Sequence, residues 1–163
     1  DNASSRYYHE VGRTPRSEDL SAYTLKKLLH MLESFNDDLA VSGLLSDEKM
    51  DDVLKRHEDT LKFMFLQTWT NSSWTPEEEE DAQSMLISEL LPVNDLCLFI
   101  SAVTLSLMEC FDLRKVMWLL DAYRHPDVNA SQRALVGVIF IFHIYRNRLS
   151  LYPDLIKRVE LMD

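Results

Sequence analysis

The stretch Arg133-Ala-Leu-Val-Gly-Val-Ile-Phe-Ile-Phe-His-Ile-Tyr145 decides how the rest of this chain is read. Wound as a helix it is apolar on every side, and such a helix is buried all round in a globular protein. Its apolar run is about twelve residues, short of the ~20 that a bilayer crossing requires. The stretch predicts the buried central element of a stack of helices, with no membrane partner.

Composition points the same way. The 163 residues suit one domain or one piece of a longer repeat array. Only 3 Gly and 5 Pro occur among many straight-chain residues, which favours long helices over a many-turned β fold. The fold class is therefore all-α. The net charge of −10 is unevenly placed: residues 17–111 carry 6 basic and 19 acidic side chains, residues 112–163 carry 8 and 6. That acidic excess argues against nucleic acid as a partner, which would call for a basic footprint. Cys97 and Cys110 are 13 residues apart on one predicted helix. They lie ~20 Å apart along its axis, so they cannot bridge within it. Two separate thiols suit a reducing, cytoplasmic setting.

Working outward from the central stretch, apolar spacing predicts seven helices with short connections, each antiparallel to the last. Residues 1–16 have no sustained period and read as an arm; residues 17–163 form one helical domain. Ser17 caps a first helix through Leu25, Leu28, Leu29, Leu32 and Phe35 to Ala40, and Gly43 closes it. Ser46 caps a second helix to about Thr70, with His57 on its apolar stripe as a satisfied core histidine. Thr75-Pro76-Glu77-Glu78 is the strongest start signal in the chain: an N-cap, a proline in the first turn and a capping-box glutamate. Pro92 ends that helix, whose buried side is Met85, Leu86 and Leu90. Asn94 then caps a nearly all-apolar helix through Met108. An amphipathic helix follows, with Leu113, Val116 and Leu120 inward. Asn129 caps the central helix to about Arg148, and Ser150 caps a last one whose apolar stripe still runs at the chain end, suggesting part of a longer protein.

A weak internal match appears at a shift of 32, where Ser101-Ala-Val-Thr-Leu-Ser-Leu lies over Arg133-Ala-Leu-Val-Gly-Val-Ile. Each is followed by a second helix carrying a basic pair and a valine, Arg114-Lys115-Val116 and Lys157-Arg158-Val159. Two helices kept while loop length varies is a solenoid pattern. The segment His125-Pro-Asp-Val-Asn-Ala-Ser-Gln-Arg-Ala-Leu-Val-Gly137 resembles the junction of a HEAT or armadillo-type repeat, with Asp127, Arg133 and Ala134 at the matching positions. The likeness covers residues 94–163, and the chain is also similar to uncharacterised bacterial helical-repeat proteins. It implies a right-handed α-solenoid that binds a protein partner, or the remainder of its own chain, through its second helices.

Trp118 is the residue that fits this idea. On the helix 113–124 it projects about 180° from the inner face, beside Arg114, Asp121 and His125. An outward tryptophan among charges is a partner-binding candidate; the competing reading has it covered by the arm or by loop 71–75. No HExxH, GxGxxG, Walker A, GxSxG or CxxC motif occurs, so no catalytic residue, metal ligand or cofactor is expected. The expectation is a non-catalytic helical-repeat interaction module. The alternatives are a small all-α enzyme or ligand-binding bundle with a pocket near His57 or His143, and a homodimer joined through the hydrophobic end.

Overall fold

The computed structural model describes residues 23–161; the arm over 1–16 and the Ser17 cap lie outside them. The described residues form helices and connecting turns, with no strand. In chain order the helices are α1 (Leu25–Glu33), α2 (Phe35–Leu45), α3 (Asp47–Thr70), α4 (Pro76–Ile87), α5 (Val93–Glu109), α6 (Leu113–Tyr123), α7 (Val128–Leu149) and α8 (Pro153–Glu160).

Capping chemistry sets most of the boundaries. Thr24 accepts from the Lys27 amide at 3.3 Å, and Ser46 from the Lys49 amide at 3.1 Å. The capping box at Thr75 is complete, with reciprocal bonds of 3.1 and 3.0 Å to Glu78. Other boundaries differ from the sequence reading. The expected first helix is two: at Ser34 the hydroxyl donates to the Met31 carbonyl (3.0 Å) and the backbone turns before α2 resumes. Gly43 does not close that second piece, which continues to Leu45. Helix α4 ends at Ile87, because Ser88 takes over its end: its hydroxyl accepts from the Leu91 amide at 3.0 Å and donates to Glu33 at 2.6 Å. Leu90 is thereby exposed rather than buried. Asp127, not Asn129, caps α7, accepting from the Asn129 and Ala130 amides at 2.8 and 3.2 Å. Asn94 and Ser150 are not caps either, since α5 follows Pro92 and α8 follows Tyr152.

The core runs from Leu28 and Leu32 of α1 through Phe63 and Met64 of α3 to Phe99 and Ile100 of α5, then Leu119 and Ile141 beyond. Helix α5 packs on α3 and α7, while α6 sits between α5, α7 and α4. At its centre Trp74, Phe99 and Trp118 form an aromatic cluster: Trp118 meets Phe99 and Trp74 edge-on, with ring centroids 5.1 and 5.9 Å away.

The central stretch departs from expectation in a way that matters. Helix α7 is not buried all round. Ala130, Ala134, Gly137, Val138 and Ile141 face inward, whereas Val136, Ile139, Phe140 and Ile144 are 52, 59, 51 and 44% exposed. The small residues explain the asymmetry. A Cβ on Gly137 would collide with the Thr104 hydroxyl and come within 3.2 Å of a Leu119 methyl, so α7 lies close against α5 and α6. Its bulky residues are left on the other side.

Candidate interaction face

Trp118, the residue chosen from sequence as a surface anchor, is 0% exposed. Its indole Nε1 donates to the Ala82 carbonyl of α4 at 2.8 Å, and Trp74 of the 71–75 loop closes over it. The correction has a simple cause. The helical wheel found one buried face of α6, but α6 is packed on two sides, and the direction opposite Leu120 faces α4 rather than water. Its expected companions are occupied as well. Arg114 is exposed, 3.6 Å from Glu79 of α4. Asp121 accepts from Gln83 at 2.8 Å and pairs with Arg158, tying α6 to α4 and α8. His125 is half-buried, its Nδ1 accepting from the Asp127 amide at 3.0 Å. Arg114 and Asp121 thus pair with neighbouring helices and His125 with its own turn, and the tryptophan expected to stand among them on the surface is buried.

Lys115, one turn before Trp118's ring of contacts closes, is fully buried. Its ammonium donates to the Asn71 carbonyl and to Ser106 Oγ (2.6 Å), and it sits 5.7 Å from the Trp74 ring centroid. Burial pushes its pKa down from 10.5 to about 8, partly opposed by Asp112. With one hydrogen bond to the loop at Asn71 and one to α5 at Ser106, Lys115 pins the 71–75 loop over the core.

The surface left over lies on the opposite side of α7. A groove of about 670 Å³ runs between α5 and α7, lined by Asn94, Leu98 and Ser101 on one wall and Gln132, Arg133 and Val136 on the other. Arg133 donates across it to Ser101 Oγ at 3.0 Å. By helical spacing the same walls continue through exposed Leu105 and Met108 on α5, and Ile139, Phe140 and Ile144 on α7. From Val128 to Tyr152 the chain has Arg133, Arg146 and Arg148 and no carboxylate. The face is thus an apolar strip with arginines along it; Asp127 stands at one end, before α7, and Glu109 at the other, at the end of α5, while Asp95, next to Asn94, is buried against His57. His143 is exposed on this side rather than buried in the helix core. Cys97 lines the groove floor, but burial pushes its thiol up, which makes it a poor nucleophile. Sequence reading missed this face because it weighed hydrophobicity alone. The signal was size: small residues at 130, 134 and 137, large ones at 136, 139, 140 and 144.

A second concavity, about 510 Å³, lies between α2 and α3. Phe35, Asp38, Val41, Lys49, Arg56 and His57 are among its walls. His57 stacks on Phe35 with ring centroids 3.7 Å apart, and its Nε2 lies 3.1 and 3.3 Å from the two carboxylate oxygens of Asp95. Burial pushes the Asp95 carboxyl up, with His57 pulling the other way. Among the described residues no group of His, Cys, Asp and Glu is placed to hold a metal ion. Helix α7 is, by length and composition, long and apolar enough to cross a membrane, with 28% of its most apolar window buried. No protein-family model matches this chain, and neither a curated protein nor a solved structure matches it.

Proposed function

We propose that this chain is a non-catalytic interaction module, a short right-handed solenoid of HEAT-like hairpins whose α5–α7 face receives an apolar, acid-flanked element of a protein partner. The observation that carries the reading is the strip Val136, Ile139, Phe140 and Ile144, exposed together along one side of α7 and continuous with the groove between α5 and α7. Contiguous apolar surface rimmed by polar groups marks contact sites more than it marks chance. Arg133 supports the repeat reading, since it bridges α7 to α5 at the position where the HEAT resemblance implies an arginine between hairpins. The face belongs to the first helices of the hairpins, α5 and α7, rather than the second, because α6 is covered by α4. In this reading Cys97 and Cys110 remain thiols in a cytoplasmic setting, and nucleic acid is repelled by the acidic balance.

The test is selection of a displayed library of helical peptides on this chain, counter-selected on its Phe140→Glu variant. Enriched peptides with apolar residues at i, i+4 and i+7 flanked by Asp or Glu would bear the reading out. Peptides that bind both proteins equally, or no enrichment, would end it. A second reading, a small-molecule site, is favoured only by the cleft at His57, whose size falls within the ~300–1,000 Å³ of ligand pockets. Compounds that raise the melting temperature of the wild type but not of Arg56→Ala would support it.

A further inference from the structure

The molecule carries a second exposed apolar patch, and its charge is opposite to the first. At the tip of the α2–α3 hairpin, Val41, Leu44, Leu45 and Leu54 are exposed, Leu44 by 88%. Val41, Leu44 and Leu45 share one side of α2 by helical spacing. Between residues 37 and 56 the chain carries Asp37, Asp38, Asp47, Glu48, Asp51 and Asp52 against Lys49, Lys55 and Arg56, and all of these are exposed. Helix α2 packs chiefly on α3 and has no face in the core beyond Ser42, so the tip stands out from the body. The α5–α7 face has the opposite charge balance: exposed Arg133, Arg146 and Arg148 and no carboxylate from Val128 to Tyr152, with Asp127 and Glu109 at its two ends.

From this complementarity we infer that the occupant of the α5–α7 groove is the α2–α3 tip of a second copy of this chain, joined head to tail. The inference rests on the interaction-module reading above. Neither patch suits itself: two tips would bring twelve carboxylates together, and two α7 faces would oppose their arginines. Pairing of unlike patches leaves one tip and one groove free at the ends of an open chain of copies, so association closes by reciprocal exchange or in a larger ring, or else grows as a filament. Apolar contact holds the copies, while the opposed charges set the register and speed encounter.

Sedimentation velocity of the whole chain, at rising protein concentration and at low and high salt, tests this with two variants. Leu44→Glu removes the tip and Phe140→Glu the groove; both side chains are exposed, and circular dichroism checks that each variant folds. Ile139→Asp replaces Phe140→Glu if that variant does not. The wild type is expected to self-associate, more strongly at low salt, and each variant to weaken association by roughly 30-fold or more. Mixed in equal amounts, the two variants restore a one-to-one pair that grows no further, because the mixture contains one intact tip and one intact groove. Wild type that stays monomeric overturns the inference. So does association lost in Phe140→Glu but untouched by Leu44→Glu, which means face-to-face dimers. Phe140-dependent binding of the monomer to anionic vesicles would also overturn it, replacing the second copy with a lipid surface. A monomer that still selects acidic helical peptides leaves the module reading standing with a different partner; a monomer that selects none removes both.

Discussion

Arg133 of α7 donates to Ser101 of α5 at 3.0 Å, and these are the two residues that the 32-residue shift superposes. The bond joins the two helices at the mouth of the groove between them. One helical turn further, Gly137 meets Thr104, so charge at the rim and the absence of a side chain beneath it together fix how closely α5 and α7 approach. That spacing determines which side of α7 is covered and which is offered to a partner.

Gly137→Ala should therefore be destabilising although alanine is the better helix former. The gain in helix propensity is about 1 kcal/mol. The clash with Thr104 and Leu119 is an overpacking cost of roughly 1–3 kcal/mol, so the net loss should be about 1 kcal/mol by urea denaturation. Adding Thr104→Ala should recover much of it. A stabilised single variant would mean the helices are not in this close contact.

Lys115 makes stability rise with pH. Its pKa is lower in the folded protein (about 8) than in the unfolded chain (10.5), so the folded state releases the proton first. Between those values the unfolded chain holds more protons, and stability should climb by on the order of 3 kcal/mol. Lys115→Met should abolish that climb. The check is chemical denaturation of both proteins at pH 7 and pH 10, and an equal slope in the two would contradict the buried ammonium.

His57→Ala leaves the Asp95 carboxylate alone in a buried position, at a cost of about 3 kcal/mol. Asp95 is raised in the folded state, so its contribution to stability is full at low pH and is lost as the pH rises through that raised value. The damage in His57→Ala should shrink on acidification, because a protonated carboxyl requires no counter-charge. Asp95→Asn should flatten the pH dependence. Melting temperatures of the three proteins across pH 4 to 8 decide it; a deficit that does not change with pH would show that the pair matters only as packing.

Trp118→Phe should cost about 1–2 kcal/mol, since it removes the indole bond to the Ala82 carbonyl while keeping most of the buried area. Trp118→Ala should cost ~3–5 kcal/mol through the cavity it leaves. Any binding lost in that variant would report unfolding rather than a missing contact, which thermal denaturation would expose.

The all-helical class was legible from composition, and Ser46 and Thr75 marked their helix starts because capping is local chemistry. What was not legible depended on contacts distant in sequence. Nothing near Ser34 announces that its hydroxyl turns the backbone, and Ser88 ends α4 by way of Glu33, 55 residues away. Trp118 was misplaced for the same reason: a wheel ranks the sides of one helix but does not count the layers packed on it. His57 was read correctly as a histidine with a partner, yet Asp95, 38 residues on, could not be named. The exposed face of α7 was legible in principle from the size pattern around Gly137, since small residues mark the side of closest approach.

The most direct measurement is methyl NMR of the chain over a concentration series, with Ile139, Ile144 and Ile141 resolved. Ile139 and Ile144 lie on the open side of α7, while Ile141 is fully buried on the other. As concentration rises, the signals of Ile139 and Ile144 should shift and broaden while Ile141 stays fixed. Shifts spread equally over all three, or confined to Ile141, would contradict an interaction face on α5 and α7.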